Sequence, residues 1–133
     1  MLYCKLKKIR DLKVEIERLE SLHTQVEKSR NPEYKTGFYA NLKACKDSYN
    51  ELAREDLLKN LDLSAEEKEM ARLYFYEGMT WTDAMYEALG DKMTEKMLND
   101  DTGKLEPRIL NMYKKKITRT VQVYYDHQKS PQT

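Results

Sequence analysis

Glycine and proline are scarce in this 133-residue chain, four and three respectively, which favours a helix-rich protein with few long loops. Cysteine and histidine are scarcer still. Cys4 and Cys45 form no C-x-x-C pair, and with only His23 and His127 beside them a zinc site has no ligand set. The two thiols are expected to be reduced. No stretch of about 18 apolar residues exists, and the amino terminus turns charged at Lys5, so neither a membrane span nor a signal peptide is expected. A cytoplasmic location follows as the expectation. The motifs G-x-S-x-G and H-E-x-x-H and a phosphate-binding glycine loop are all missing, and the glycines stand isolated at Gly37, Gly78, Gly90 and Gly103. The reading is therefore of a protein that is not an enzyme and uses no cofactor. The one acidic cluster, Asn99-Asp100-Asp101-Thr102-Gly103, lacks the order and closing glutamate of a calcium loop and reads as a plain turn without metal.

Charge is abundant, and it is segregated. The net value of +1 hides three blocks: residues 1–61 sum to +3, residues 62–106 to −7 and residues 107–133 to +5. A near-neutral total argues against indiscriminate coating of nucleic acid, yet one cationic helix needs only a handful of phosphate contacts. With 40% hydrophobic residues the chain can bury a modest core, as one domain or as a small domain with a helical arm.

The first thirty residues read as one long helix. Leu2, Ile9, Ile16 and His23 recur every seventh position and Lys5, Leu12, Leu19 and Val26 interleave, which places them at a and d of a heptad. Lys8, Glu15, Glu17, Arg18 and Glu20 make the opposite face charged. Leu2, Ile9, Leu12, Ile16, Leu19 and Val26 are thus the candidate dimer or partner seam, and a homodimer is expected. Lys5 interrupts the seam as a register device or frayed end and His23 as a partly buried, hydrogen-bonded side chain, and neither is given chemistry. Asn31-Pro32 ends the helix, and a second follows from about Thr36 to Asn60, with Phe38, Leu42, Cys45, Tyr49 and Leu52 at helical spacing. The simplest product is an antiparallel helical hairpin, whose seam is covered either by its own second helix or by another copy.

Residues 63–90, LSAEEKEMARLYFYEGMTWTDAMYEALG, read as two short amphipathic helices around one tight turn. Ser64 and Glu67 form a capping box, Gly78 supplies a left-handed stop, Thr80 caps the second helix and Gly90 ends it. Leu73, Tyr74, Trp81, Met85 and Leu89 are the inward set. Further on, Pro107 opens a basic helix whose apolar stripe is Leu110, Tyr113, Ile117, Val121 and Tyr124. Arg108, Asn111, Lys114, Lys115, Lys116, Thr118 and Arg119 are its candidate DNA-binding residues. Arginine can fork onto guanine, asparagine onto adenine, and lysines can neutralise phosphates.

The run Glu69 to Trp81, followed by Ala84, Leu89 and Gly90, resembles the first half of the region-4-like helix-turn-helix of bacterial sigma factors. It is most similar to the small ArpU- and RinA-type regulators of phages and mobile elements in Gram-positive bacteria, and the resemblance covers about residues 61–125. It implies an all-α fold: a coiled-coil-like helical hairpin over 1–60, a sigma-like helix-turn-helix with an insertion over 61–126, and a disordered tail over 127–133. It also implies duplex DNA as partner. In a sigma-like motif, however, the reading helix starts a few residues after Leu89-Gly90, whereas here residues 91–106 intervene. Within them Thr94 caps a short helix through Leu98, with Met93 and Met97 inward, but flanking acids would repel phosphate, so the helix from Pro107 is the preferred reader. Two functions remain: a phage-type transcription regulator that binds DNA, or a helical module that binds host RNA polymerase or another regulatory protein without touching DNA.

Overall fold

The computed structural model describes the backbone of residues 2–129 and, Glu95 aside, the side chains of residues 2–123. It is mostly helical. In chain order the described helices are α1 (Leu2–Ser21), α2 (His23–Glu27), α3 (Pro32–Leu52), α4 (Ala65–Phe75), α5 (Trp81–Leu89) and α6 (Pro107–Lys129).

Two boundaries differ from the sequence reading. The first helix stops at Ser21 and restarts at His23, and the third runs from Pro32 to Leu52, not from Thr36 to Asn60. The Asn31 side chain explains the earlier start: it accepts from the amides of Glu33 and Tyr34 and caps a helix with proline in its first turn. The later part, residues 53–63, forms turns that carry Leu58, Leu61 and Leu63 into the core.

The apolar stripe of α1 also differs from a heptad seam. Leu6, Ile9, Ile16, Leu19 and, on α2, Val26 are buried, Leu2 and Leu12 are half-buried, and Lys5 and His23 are exposed. The reason is that α1 serves two partners in succession. Its first half contributes Leu6 to a cluster with Leu58, Met70, Phe75, Met85, Ile117 and Val121. Its second half contributes Ile16 and Leu19 to a smaller cluster with Val26, Phe38 and Leu42. α3 runs antiparallel to α1, as the pairings Glu20–Lys46 (3.7 Å) and Lys13 over the Tyr49 ring (5.6 Å) show. The expected division at residue 60 therefore falls across a shared core: α1 lies against α3, α4 and α6 alike.

Between α4 and α5 the chain turns at Gly78, with φ +75°. Both predicted caps are present: Ser64 and Glu67 exchange hydrogen bonds with each other's amides, and Thr80 Oγ1 accepts from Asp83 N. A Cβ at Gly78 would meet Lys13 Cγ at 3.2 Å as well as a left-handed backbone. Gly78→Ala is expected to cost about 1–2 kcal/mol of stability, read as a lower urea midpoint with unchanged slope.

The segment 90–106 is compact. Two 3-10 turns, Gly90–Lys92 and Glu95–Met97, lead into an antiparallel bridge between Leu98 and Leu105. At its tip Asn99 accepts from the amides of Asp101 and Thr102, and Gly103 takes φ +68°. The acidic cluster is thus an Asx turn. Met93 and Met97 pack on the main core, and the Tyr86 hydroxyl accepts the Leu105 amide at 2.6 Å, fixing the return strand just before α6. Of the tail expected from 127, residues 127–129 continue α6 and 130–133 lie outside the described residues.

Candidate nucleic-acid interface

α6 is amphipathic, and its two faces have separate duties. Ile117 and Val121 are fully buried and Leu110 and Tyr113 half-buried against the core, while the side chain of Tyr124 lies outside the described residues. On the outer side Arg108, Asn111, Lys114, Lys115 and Arg119 are exposed and Thr118 is half-buried. Asn111, Lys114, Lys115, Thr118 and Arg119 surround one shallow depression on the helix flank. Among the described residues, none of Arg108, Lys114, Lys115 and Arg119 is in an ion pair. Four cations are therefore held on one helix with no acid paired to them among the described residues.

Lys116 is differently placed. Its ammonium lies 3.4 Å from Glu67 Oε1, the same buried carboxylate that accepts from Ser64 N at 2.9 Å. Glu67 thereby joins the start of α4 to the middle of α6, and Lys116 acts as a strut between them. Of the seven candidate residues, five are exposed and in no ion pair among the described residues, Thr118 is half-buried, and Lys116 is exposed but reaches Glu67.

The support for α6 comes from a feature that the sequence reading missed. Arg10 of α1 donates from Nη1 to the carbonyl oxygens of Tyr74 and Met79, both at 2.6 Å. These two residues flank the Gly78 turn, so one guanidinium nitrogen ties both of its sides. The guanidinium carbon also sits 3.8 Å from the Tyr74 ring centre, and that ring stacks on Trp81 at 3.8 Å with planes 11° apart. A three-layer stack of cation, phenol and indole thus fixes the α4–α5 corner to α1. The heptad pattern hides Arg10, because in a coiled coil its position belongs to the flanking, solvated set. The signal available was that Arg10 lies one helical turn from Leu6, on the side of α1 that the first core cluster requires.

No protein-family model, curated protein or solved structure matches this chain. Among the described residues no group of three metal-ligating side chains comes together, and no helix is long and apolar enough to cross a membrane. A concavity of about 580 Å³ lies between the end of α3, the 53–59 turns and α4. Within it Arg72 bonds to Glu69 and Glu77, while Arg54 reaches Glu51 outside the lining and Lys68 donates to the Lys59 carbonyl. At its floor the Tyr76 hydroxyl accepts from Leu57 N and donates to Glu55 O, and the Tyr49 hydroxyl donates to Tyr76 O. Burial pushes both phenols above their ordinary pKa. These bonds tie the 53–59 turns to α3 and α4.

Of the six seam residues of α1 and α2, Ile9, Ile16, Leu19 and Val26 are buried within the chain, and Leu2 and Leu12 are half-buried. Ile9 is 0% exposed and Val26 1%, with Ile16 and Leu19 nearly as deep. A second copy could reach the four buried ones only by displacing the helices packed on them.

Proposed function

We propose that the chain is a transcription regulator of the phage or mobile-element type that binds duplex DNA. In this reading α4 and α5 are the supporting half of a sigma-like helix-turn-helix and α6 is the reading helix. The observation that carries it is the outward row Arg108, Asn111, Lys114, Lys115 and Arg119: cationic, unpaired among the described residues, and projecting from a helix whose other face is locked into the core. Such a helix fits the major groove, about 12 Å wide. Arg108 and Asn111, near its amino end, are placed to meet base edges, while Lys114, Lys115 and Arg119 meet phosphate. Glu67 keeps Lys116 out of that set and holds the helix in register with α4. A homodimer over two half-sites would pair through a surface other than the α1 stripe, which is already buried.

The test is retention of the pure protein on a pool of random duplexes across a salt series. Binding by the parent is expected to weaken steeply with salt, and Lys115→Ala with Arg119→Ala is expected to flatten the log–log slope by about 2. Unchanged affinity and slope in that double variant would sink the assignment.

A further inference from the structure

One apolar side chain on the outer face of α6 remains outside the account so far. Met112 is 54% exposed, although its residue type belongs in a core. It stands four residues after Arg108, three before Lys115 and seven before Arg119. At 3.6 residues per turn these four fall within about a sixth of the helix circumference, on the side opposite Ile117. All four are exposed, whereas Ile117 is fully buried. Val123, the other exposed hydrophobic of α6, borders a depression that it shares with Asn60, Leu61 and Asp62 of the same chain. Met112 lines no such depression with its own chain.

The surroundings of Met112 decide what can cover it. Arg108, Lys115 and Arg119 are cations in no ion pair among the described residues, and Lys116, one turn beyond Met112, carries a further ammonium. A second copy of this face would set like charges against each other for the sake of one small apolar contact. A major groove answers both features at once. Its walls are phosphate, and the apolar group on the base edges at its floor is the thymine 5-methyl. Methionine is unbranched and polarisable, which lets its tip settle on a single methyl group. Arg108 and Met112 lie about 6 Å apart along the helix axis, roughly the height of two base pairs.

We propose that Met112 is a specificity-determining residue, which packs on the 5-methyl group of a thymine within about two base pairs of the base that Arg108 meets. The inference rests on the DNA-binding reading above and adds to it a sequence preference carried by apolar contact instead of a hydrogen bond.

The test starts from duplexes that the parent enriches from the random pool. Each is remade with deoxyuridine in place of one thymine at a time, which removes a methyl and leaves every hydrogen-bonding group of the base edge in place. At one thymine position the parent is expected to bind about fourfold more weakly without the methyl, the effect of burying roughly one carbon. Met112→Ala should bind the thymine and uracil duplexes alike at that position. Its salt slope should match the parent's, because no charge is lost. A parent that retains duplex but enriches no thymine-bearing sequence overturns this inference alone, as does one that binds thymine and uracil equally at every position. A Met112→Ala variant that still discriminates between them also overturns it. A parent that retains no duplex overturns both this inference and the reading beneath it.

Discussion

An Ile9→Asp chain is expected to be unfolded at room temperature. Ile9 has no exposed surface, so the change removes a packed side chain, worth about 2–5 kcal/mol, and forces a carboxylate into an apolar site. Together these consume most or all of the roughly 5–15 kcal/mol that holds a domain of this size. Val14→Asp on the same helix, where the side chain is 43% exposed, should shift stability by no more than about 0.5 kcal/mol. Circular dichroism with sedimentation distinguishes the outcomes. Were the α1 stripe a seam between two copies, Ile9→Asp would give a helical monomer; the buried position described above requires loss of the helical signal itself.

That contrast also marks where sequence reasoning succeeded and where it stopped. Local signals were strong wherever one residue type answers one backbone need. Ser64 with Glu67, Thr80 before Trp81, Gly78 at its positive φ and Pro107 at the head of α6 all occupy the places that capping and turn chemistry demand. The stripe Leu110, Tyr113, Ile117 and Val121 was legible for a similar reason, since a straight helix on a core buries every third or fourth residue. The heptad on α1 misled because seven-residue spacing and two successive helical faces produce nearly the same pattern over three turns. Leu6, which no heptad position claimed, is fully buried, whereas Lys5 and His23, which two positions claimed, are exposed. Long-range pairings such as Arg10 with Tyr74 and Met79, or Lys116 with Glu67, depend on how distant helices cross, and periodicity does not encode that. The outward row of α6 was visible as composition; that Lys116 belongs to a strut became visible only once α4 was set beside it.

Arg10→Ala is the second large effect. The substitution removes two charge-assisted hydrogen bonds to backbone oxygens and the cation from the face of Tyr74. Bonds to charged groups are worth about 1.5–3 kcal/mol each, and the ring contact adds about 0.5–2 kcal/mol. Arg10 is half-buried, so water recovers part of this. A loss of about 3 kcal/mol is expected, measured as a lower urea midpoint at constant slope. Lysine has a shorter arm and no flat guanidinium to lie on the Tyr74 ring, so Arg10→Lys should restore less than half of the loss. A loss below 1 kcal/mol for alanine, by the same measure, would show that the corner holds itself without α1.

The stack at that corner has an optical consequence. Trp81 is the chain's only tryptophan, it is 9% exposed, and it lies face to face with Tyr74 beneath the Arg10 guanidinium. An indole in such a place emits at shorter wavelength than one in water, and its colour depends on the charge above it. Intrinsic fluorescence therefore reports, without any label, whether α1 is seated on the turn that supports α6. A shift in that emission when a ligand arrives would register the attachment of the arm directly, at a point remote from the surface the ligand touches.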